Sequence, residues 1–279
     1  MLLALDLGNS RIKWGLFDAL TPKGRGYFPT EQFRPTEEDT SIFELSGSGS
    51  DGVSSHPASS HHASHELSSL LRSVTLVAVC SVAGRAVEEA LLAHLHHMGL
   101  EERVQTVSIQ ASPQACGVIN HYDAPTRLGA DRWSALVAAR ARSSIPTIVV
   151  MAGTATTVDA LNRHGDFLGG TILPGVRLMP KSLYERTAGI QEGDGSWAEF
   201  PTNTADAVAS GVLAATAGAI AGMIHNLQLI HHEPIQLLLS GGNSPLLVPR
   251  LSALGFQPQY ERDLVLQGIA LLVASNEFS

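Results

Sequence analysis

The strongest constraint on the fold is one strand–turn–strand pattern that occurs twice in this sequence. Residues 2–16 contain an apolar segment, the Gly8-Asn9-Ser10 turn and a second segment with alternating apolar residues. Residues 147–158 repeat that order around the Gly153-Thr154 turn, close to the midpoint of the 279-residue chain. Two such segments joined by a short glycine turn predict a β-hairpin. Its recurrence at half the chain length indicates a duplicated architecture.

The duplication predicts two similar domains, residues 1–143 and 144–279. Apolar segments that alternate with helical ones complete each domain and indicate an α/β fold with strands buried on both faces. Further strands are expected at 74–79, 104–109, 167–175 and 235–239, with the polar segment 21–44 at the edge of the first sheet. Helices are expected at 86–98 (with Gly99 as C-cap), 133–142, 176–187 and 263–274.

One uncharged segment, 208–224, raises the question of a membrane. It contains a Gly218-x-x-x-Gly222 spacing, which also occurs where membrane helices pack together. However, the segment is rich in Ala, Gly, Ser and Thr, which favour insertion weakly. Its length of about 17 residues is also the lower limit for crossing a bilayer. We therefore predict a buried helix of a soluble protein, whose small residues allow a neighbour to approach closely.

The charge balance argues against one class of function. Against 18 Lys and Arg the chain has 26 Asp and Glu, for a net charge of −8, whereas nucleic-acid binders usually present a basic face. Two cysteines, Cys80 and Cys116, are too few for a disulfide framework. The N-terminus lacks the basic and apolar regions of a secretory signal. The composition therefore predicts a soluble cytoplasmic protein with no nucleic-acid or membrane partner.

A Ser-, Gly- and His-rich segment at 46–64 interrupts the α/β pattern. Closely spaced histidines are one sign of a metal-binding tract. The segment has few apolar residues to bury, however, so little would offset the entropy lost on ordering it. No carboxylate or cysteine ligands accompany the histidines at regular spacing. We favour a flexible surface loop.

Three glycine-rich turns that each follow an apolar strand are candidate phosphate sites: Gly8-Asn9-Ser10, 153–157 and Gly241-Gly242-Asn243. Glycine permits close backbone approach, and neighbouring amides and hydroxyls can donate to phosphate oxygens. Any one of them could be an ordinary turn, but three together favour a nucleotide. Walker A and GxGxxG motifs are absent. Beside the first turn, Asp6 could position Mg²⁺ through water, and Lys13 is either a phosphate contact or an exposed strand lysine.

The segment Gly129-Ala130-Asp131-Arg132 precedes a predicted helix and has two interpretations. Asp131 could cap that helix, or it could be a general base that removes a proton from an attacking hydroxyl. Arg132 could pair with a substrate carboxylate. The spacing alone does not decide between cap and base. No nucleophile elbow or HExxH motif supports a hydrolase.

The ordered set of motifs resembles the type III pantothenate kinases, which include the Bvg accessory factors. The resemblance covers nearly the whole chain. Its motifs are Asp6-Leu7-Gly8-Asn9-Ser10, Gly117-Val118-x-Asn120-x-Tyr122 with Pro125, Leu128-Gly129-Ala130-Asp131-Arg132-Trp133, Gly153-Thr154-Ala155-Thr156-Thr157-x-Asp159, Gly169-Gly170-x-Ile172-x-Pro174-Gly175, Asn203-Thr204 and Ser240-Gly241-Gly242.

The resemblance implies an actin-like fold of two duplicated domains with the active cleft between them. It implies ATP-dependent phosphorylation of pantothenate in coenzyme A synthesis, with Mg²⁺, a monovalent cation (K⁺ or NH₄⁺) and a homodimer that completes the acceptor pocket. Asp131 would be the catalytic base. The ATP-binding residues would be Asp6, Gly8, Asn9, Ser10, Lys13 and Thr154. The acceptor-binding residues would be Tyr122, Gly129, Ala130, Asp131, Arg132 and Thr204.

The chain departs from the family at Met151. Aligning Gly8 with Gly153 places Met151 opposite Asp6, and the family has there an aspartate expected to coordinate the monovalent cation. A thioether is a poor ligand for a hard cation, so no metal ligand is assigned. Met151 is either a strand-end core residue or a change that makes catalysis weaker, cation-independent or absent. A non-catalytic accessory protein and a kinase for another small hydroxy acid remain the alternatives.

Overall fold

The computed structural model describes residues 1–35 and 70–277. Contacts within the chain define two compact units, Met1–Ile109 and Gln110–Ser279. The Ser/His-rich segment, and with it the choice between loop and metal tract, lies outside the described residues. The domain boundary at residue 143 stays a prediction. The helix Ala130–Arg142, which that boundary places in the first domain, belongs to the second unit.

The first unit is a five-stranded sheet with the order β3-β2-β1-β4-β5. Its strands are β1 (Leu2–Leu7), β2 (Arg11–Asp18), β3 (Thr21–Pro29), β4 (Leu76–Ser81) and β5 (Gln105–Ser108). All six residues of β1 are buried, because it is the central strand and helix α1 (Arg85–His97) contributes Val87, Leu91 and Leu95 to the same apolar core. Gly99 follows α1 with φ of 111°, and its amide donates to the carbonyl of His96. The predicted C-cap is therefore one residue off: Met98 is the C-cap, and Gly99 follows it in the left-handed conformation that often ends a helix.

The second unit contains a seven-stranded sheet with the order β12-β11-β8-β9-β10-β7-β6. Its strands are β6 (Gln114–Ala115), β7 (Val118–Asn120), β8 (Thr147–Ala152), β9 (Ala155–Leu161), β10 (Asp166–Pro174), β11 (Gln236–Ser240) and β12 (Pro258–Tyr260). Its helices are α2 (Ala130–Arg142), α3 (Met179–Arg186), α4 (Thr204–Ile230), α5 (Ser244–Ala253) and α6 (Leu264–Ser275). The mixed α/β class predicted from the sequence is confirmed.

The two sheets share one topology, as the recurrent hairpin predicted. In the first, β1 is antiparallel to β2 and parallel to β4. In the second, β8 is antiparallel to β9 and parallel to β11. The sequence β10-β9-β8-β11-β12 therefore repeats the whole order β3-β2-β1-β4-β5 with matching strand directions. β1 and β8 each have six residues and end one residue before the turn glycine.

Two predicted helix boundaries are wrong. α2 begins at Ala130 rather than Trp133, because Gly129 occupies the N-cap position. α3 begins at Met179 rather than at 176, because residues 175–178 form a turn in which the amide of Leu178 donates to the carbonyl of Gly175. Both errors arose at glycine turns, where apolar spacing carries no information about the first helical residue.

Helix α4 is the uncharged segment singled out in the sequence, extended at both ends to 27 residues. Within the described residues it is the one helix long and apolar enough to span a membrane by length and composition, a test that core helices also pass. One face enters the second apolar core through residues such as Val212, Ile220 and Ile224. The predicted close neighbour at Gly218 and Gly222 is wrong for the described chain, because no heavy atom lies within 4 Å of a Cβ built at either.

Candidate active site

The first glycine turn, between β1 and β2, has a fixed backbone and an exposed tip. The amide of Gly8 donates to the carbonyl of Arg11 over 3.1 Å. The hydroxyl of Thr30 donates to the carbonyl of Gly8 over 2.7 Å. Asn9 and Ser10 are exposed. The turn therefore presents polar groups to solvent from a rigid base, as a phosphate contact requires.

The hairpin register brings Asp6 and Lys13 together. They are direct cross-strand partners in β1 and β2, and the Lys13 Nζ lies 3.3 Å from the Asp6 Oδ2. Asp6 is buried and Lys13 is half-buried. A carboxylate and an ammonium thus stand side by side next to the turn, one suited to a hydrated divalent cation and the other to a phosphate oxygen.

The second glycine turn is held by two further turns of the same unit. The amide of Gly175 donates to the carbonyl of Thr154 over 2.9 Å. The side-chain amide of Asn243 donates to the carbonyl of Gly153 over 2.9 Å. A Cβ on Gly175 would lie 2.4 Å from the Gly153 oxygen, so only glycine permits this approach. Gly241 meets the carbonyl of Ala152 in the same way, so the three turns form one junction around Thr154.

Met151 lies in β8 just before this junction. Its direct strand partners are Thr157 in β9 and Ser240 in β11, and the residue is half-buried. Across residues 1–35 and 70–277, no three His, Cys, Asp or Glu side chains converge as a metal site. Met151 thus places a thioether, and not a carboxylate, at this end of β8.

The N-terminus of α2 carries Asp131 at its second position, so the helix-cap interpretation is wrong. Gly129 is the N-cap, and no side chain caps the helix there. The Asp131 Oδ1 accepts a hydrogen bond of 2.8 Å from the backbone amide of Arg132. The side chain is half-buried, and the positive end of the helix dipole favours a carboxylate at this position. Asp131 is consequently a partly accessible carboxyl group on a rigid element.

Arg132 points into the protein rather than to solvent. Its side chain is 5% exposed, and its Nε and Nη2 donate to the carboxylate of Asp159 in β9, which is 1% exposed. Its Nη1 donates to the Tyr122 hydroxyl over 2.7 Å. Burial by itself would lower the pKa of Arg132, but the hydrogen bond and charge of Asp159 outweigh this and raise it above its ordinary value. The guanidinium therefore remains charged.

The structure thus brings together Asp131, Arg132 and Tyr122 in the second unit, and Asp6, Lys13 and the Gly8 turn in the first. Thr204 is exposed as the first residue of α4. Two residues have structural roles that the sequence did not indicate: Asp159, which pairs with Arg132, and Asn243, which lies in the third candidate phosphate turn and holds the second one. For Asp159 a signal was present, because a carboxylate in an otherwise buried strand requires a partner.

Comparison with known proteins identifies the family that the motifs resemble. A family model described as type III pantothenate kinase matches residues 2–226. A type III pantothenate kinase of Thiobacillus denitrificans is 38% identical over 270 residues, which cover 96% of this chain and 94% of the relative. That of Aromatoleum aromaticum is 38% identical over 272 residues, which cover 98% and 97%.

Solved structures agree on the fold. A Campylobacter jejuni protein assigned to the Baf family of transcriptional activators has a TM-score of 0.57 at 19% identity, over 98% of each chain. A Sinorhizobium meliloti protein assigned as a 2-dehydro-3-deoxygalactonokinase has a TM-score of 0.54 at 12% identity, over 99% of this chain and 98% of that one. At these identities the likeness concerns the fold alone. It confirms the predicted actin-like α/β class with its repeated sheet.

Proposed function

The chain belongs to the type III pantothenate kinase family, and we propose that it transfers the γ-phosphoryl group of ATP to the hydroxyl of pantothenate, the first step of coenzyme A biosynthesis. The main support for this function is the family match over residues 2–226. That range includes the glycine turns at Gly8 and Gly153 and also Asp131. Two relatives that are 38% identical over nearly the whole chain are named type III pantothenate kinases.

The catalytic step assigns one role to Asp131. The pantothenate hydroxyl oxygen forms a bond to the γ-phosphorus while the bond from that phosphorus to the bridging oxygen of ADP breaks. The hydroxyl proton passes to the Asp131 carboxylate, which acts as general base. The position of Asp131 in the first turn of α2 supports this role, because the helix backbone fixes the carboxylate.

Two sets of residues would hold ATP. The exposed Asn9 and Ser10 would donate to phosphate oxygens, and Lys13 would contribute a positive charge. Gly8 and Thr154 would each offer the backbone of its own turn to the nucleotide. Asp6 fits a hydrated Mg²⁺, because it is a buried carboxylate oxygen donor beside the turn. When bound, that ion would neutralise charge on the phosphates.

A coupled ADP-release assay with ATP, Mg²⁺ and pantothenate tests this function. We expect ADP to form only when pantothenate is present, with 4′-phosphopantothenate as the second product by mass spectrometry. Turnover with another hydroxy acid but not with pantothenate would indicate a different acceptor. No turnover with any acceptor, in protein that still binds ATP, would favour the accessory protein.

Met151 predicts that this kinase does not respond to monovalent cations. The position lacks the oxygen ligand that a hard cation requires, so turnover should be the same in K⁺, NH₄⁺ or a bulky organic cation. We expect Met151→Asp to create a dependence on K⁺ and Met151→Leu, which stays apolar, to create none. Activation of the unmodified protein by K⁺ would contradict this prediction.

We propose in addition that the protein is a cytoplasmic homodimer. Support comes from the family resemblance and from the face of α4 around Gly211, Gly218 and Gly222, where nothing in the described chain approaches a built Cβ within 4 Å. A second copy could cover this uncharged face. Light scattering of the purified protein would measure the mass of the particle in solution.

A further inference from the structure

A buried carboxylate in β9, Asp159, has no role in the mechanism above. It is 1% exposed and lies in a strand whose following residues are also buried. Its two oxygens accept hydrogen bonds of 3.1 and 3.2 Å from the Arg132 Nε, and its Oδ1 also accepts from the Nη2. Burial raises the pKa of the Asp159 carboxyl, while the hydrogen bond and charge of the guanidinium oppose that rise.

Gly170 in β10 has no side chain, and this leaves room for the Asp159–Arg132 pair. A Cβ at that position would lie 2.0 Å from the Asp159 Oδ1 and 2.8 Å from the Arg132 Nη2. Any larger residue would displace one member of the pair. The close approach of β10 therefore shields the ion pair from solvent, and shielding strengthens its hydrogen bonds.

The hydrogen-bond network of this ion pair extends to Tyr122. The Arg132 Nη1 donates to the Tyr122 hydroxyl oxygen over 2.7 Å, and the phenol ring rests against Phe167 with ring centroids 5.4 Å apart. A guanidinium has donors only, so the tyrosine oxygen must accept this bond. Its own hydroxyl proton is therefore directed to another acceptor. Of these three polar residues, Tyr122 alone is half-buried, whereas Arg132 and Asp159 are buried.

We propose that Asp159 is a positioning residue that acts through Arg132 to orient the Tyr122 hydroxyl as a hydrogen-bond donor to the acceptor substrate. The substrate group that accepts this bond is a carboxylate or carbonyl oxygen. The proposal rests on the proposed function for the identity of that substrate. It assigns to Arg132 an indirect role, since the guanidinium is turned toward Asp159 and Tyr122 within the protein.

A double-mutant cycle of Tyr122→Phe and Arg132→Lys tests the relay. The lysine keeps a positive charge opposite Asp159, but a single ammonium cannot also hold the tyrosine as the planar fork does. Each single variant should raise the KM for pantothenate about tenfold, the effect of losing one oriented hydrogen bond to a charged group. The KM for ATP should not change, and kcat should change much less than the KM. The double variant should be no worse than either single one.

Independent contacts to the substrate would give the opposite pattern. If the two increases in KM multiply in the double variant, Arg132 contacts the acceptor by itself and the relay is wrong. Asp159→Asn should reproduce the KM effect, and the cycle above remains informative if that variant does not fold. Tyr260→Phe, at an exposed tyrosine in β12, is the matched control and should leave all constants unchanged.

A measurement without substrate separates this proposal from the proposed function. The chain has four tyrosines, so a protein labelled with ¹³C at the tyrosine Cζ gives a simple spectrum in which Tyr122→Phe identifies the Tyr122 signal. That signal should move in Arg132→Lys and in Asp159→Asn. A signal that stays in place in both would overturn the relay, whereas absence of turnover with pantothenate in the unmodified protein would overturn only the function.

Discussion

Replacing Asp131 by asparagine should lower kcat by about two to four orders of magnitude, the usual contribution of a general base. Asparagine has the same shape, and its side-chain oxygen can accept the bond that Asp131 now accepts from the Arg132 amide. It cannot take up a proton from the hydroxyl at neutral pH. The measurement is the ADP-release rate at saturating ATP and pantothenate, with ATP affinity and melting temperature determined on the same preparation.

The asparagine variant also separates the base from a purely structural carboxylate. Asparagine keeps an oxygen that can accept the hydrogen bond from the Arg132 amide, so a purely structural role predicts near-normal turnover. Asp123→Asn is the matched control, because Asp123 is an exposed aspartate of the preceding segment, and its turnover should be unchanged. Near-normal turnover of Asp131→Asn would refute the catalytic role.

Features encoded by local pattern could be predicted from the sequence. The hairpin of β1 and β2 follows from alternating apolar residues around a glycine turn, and the short turn fixes the register that pairs Asp6 with Lys13. The same pattern at 147–158 predicted the second hairpin, and the repeated sheet order followed from the duplication.

Features that depend on tertiary contacts could not be predicted. Arg132 and Asp159 are 27 residues apart, on a helix and a strand, and the sequence suggests no reason why one should face the other. The sequence suggested that Arg132 could pair with a substrate carboxylate, whereas the structure pairs it with Asp159 of the chain itself. For α4, the Gly218 and Gly222 spacing indicated a close neighbour without indicating whether this chain supplies one.

The packing of α2 against α6 leads to the second large expected effect. Eight consecutive residues of α2, Arg132–Ala139, are buried, so this helix is enclosed on all sides. α6 crosses it at Gly268, where a Cβ would lie 1.8 Å from the backbone oxygen of Ser134. That oxygen belongs to the helix backbone and cannot rotate away as a side chain could. Any side chain at 268 therefore forces the two helices apart.

Gly268→Ala should accordingly lower the free energy of unfolding by about 2–4 kcal/mol, the upper range for an overpacked core. Ser134 lies one helical turn after Asp131, so turnover should fall as well. Gly189→Ala is the matched control: it adds the same methyl group at an exposed turn position with nothing within 4 Å. There alanine should raise stability by about 0.4–1 kcal/mol, because it reduces the conformational entropy of the unfolded chain. Urea unfolding measures the free energy of unfolding of each variant. If the two variants are equally stable, the helices do not cross at Gly268.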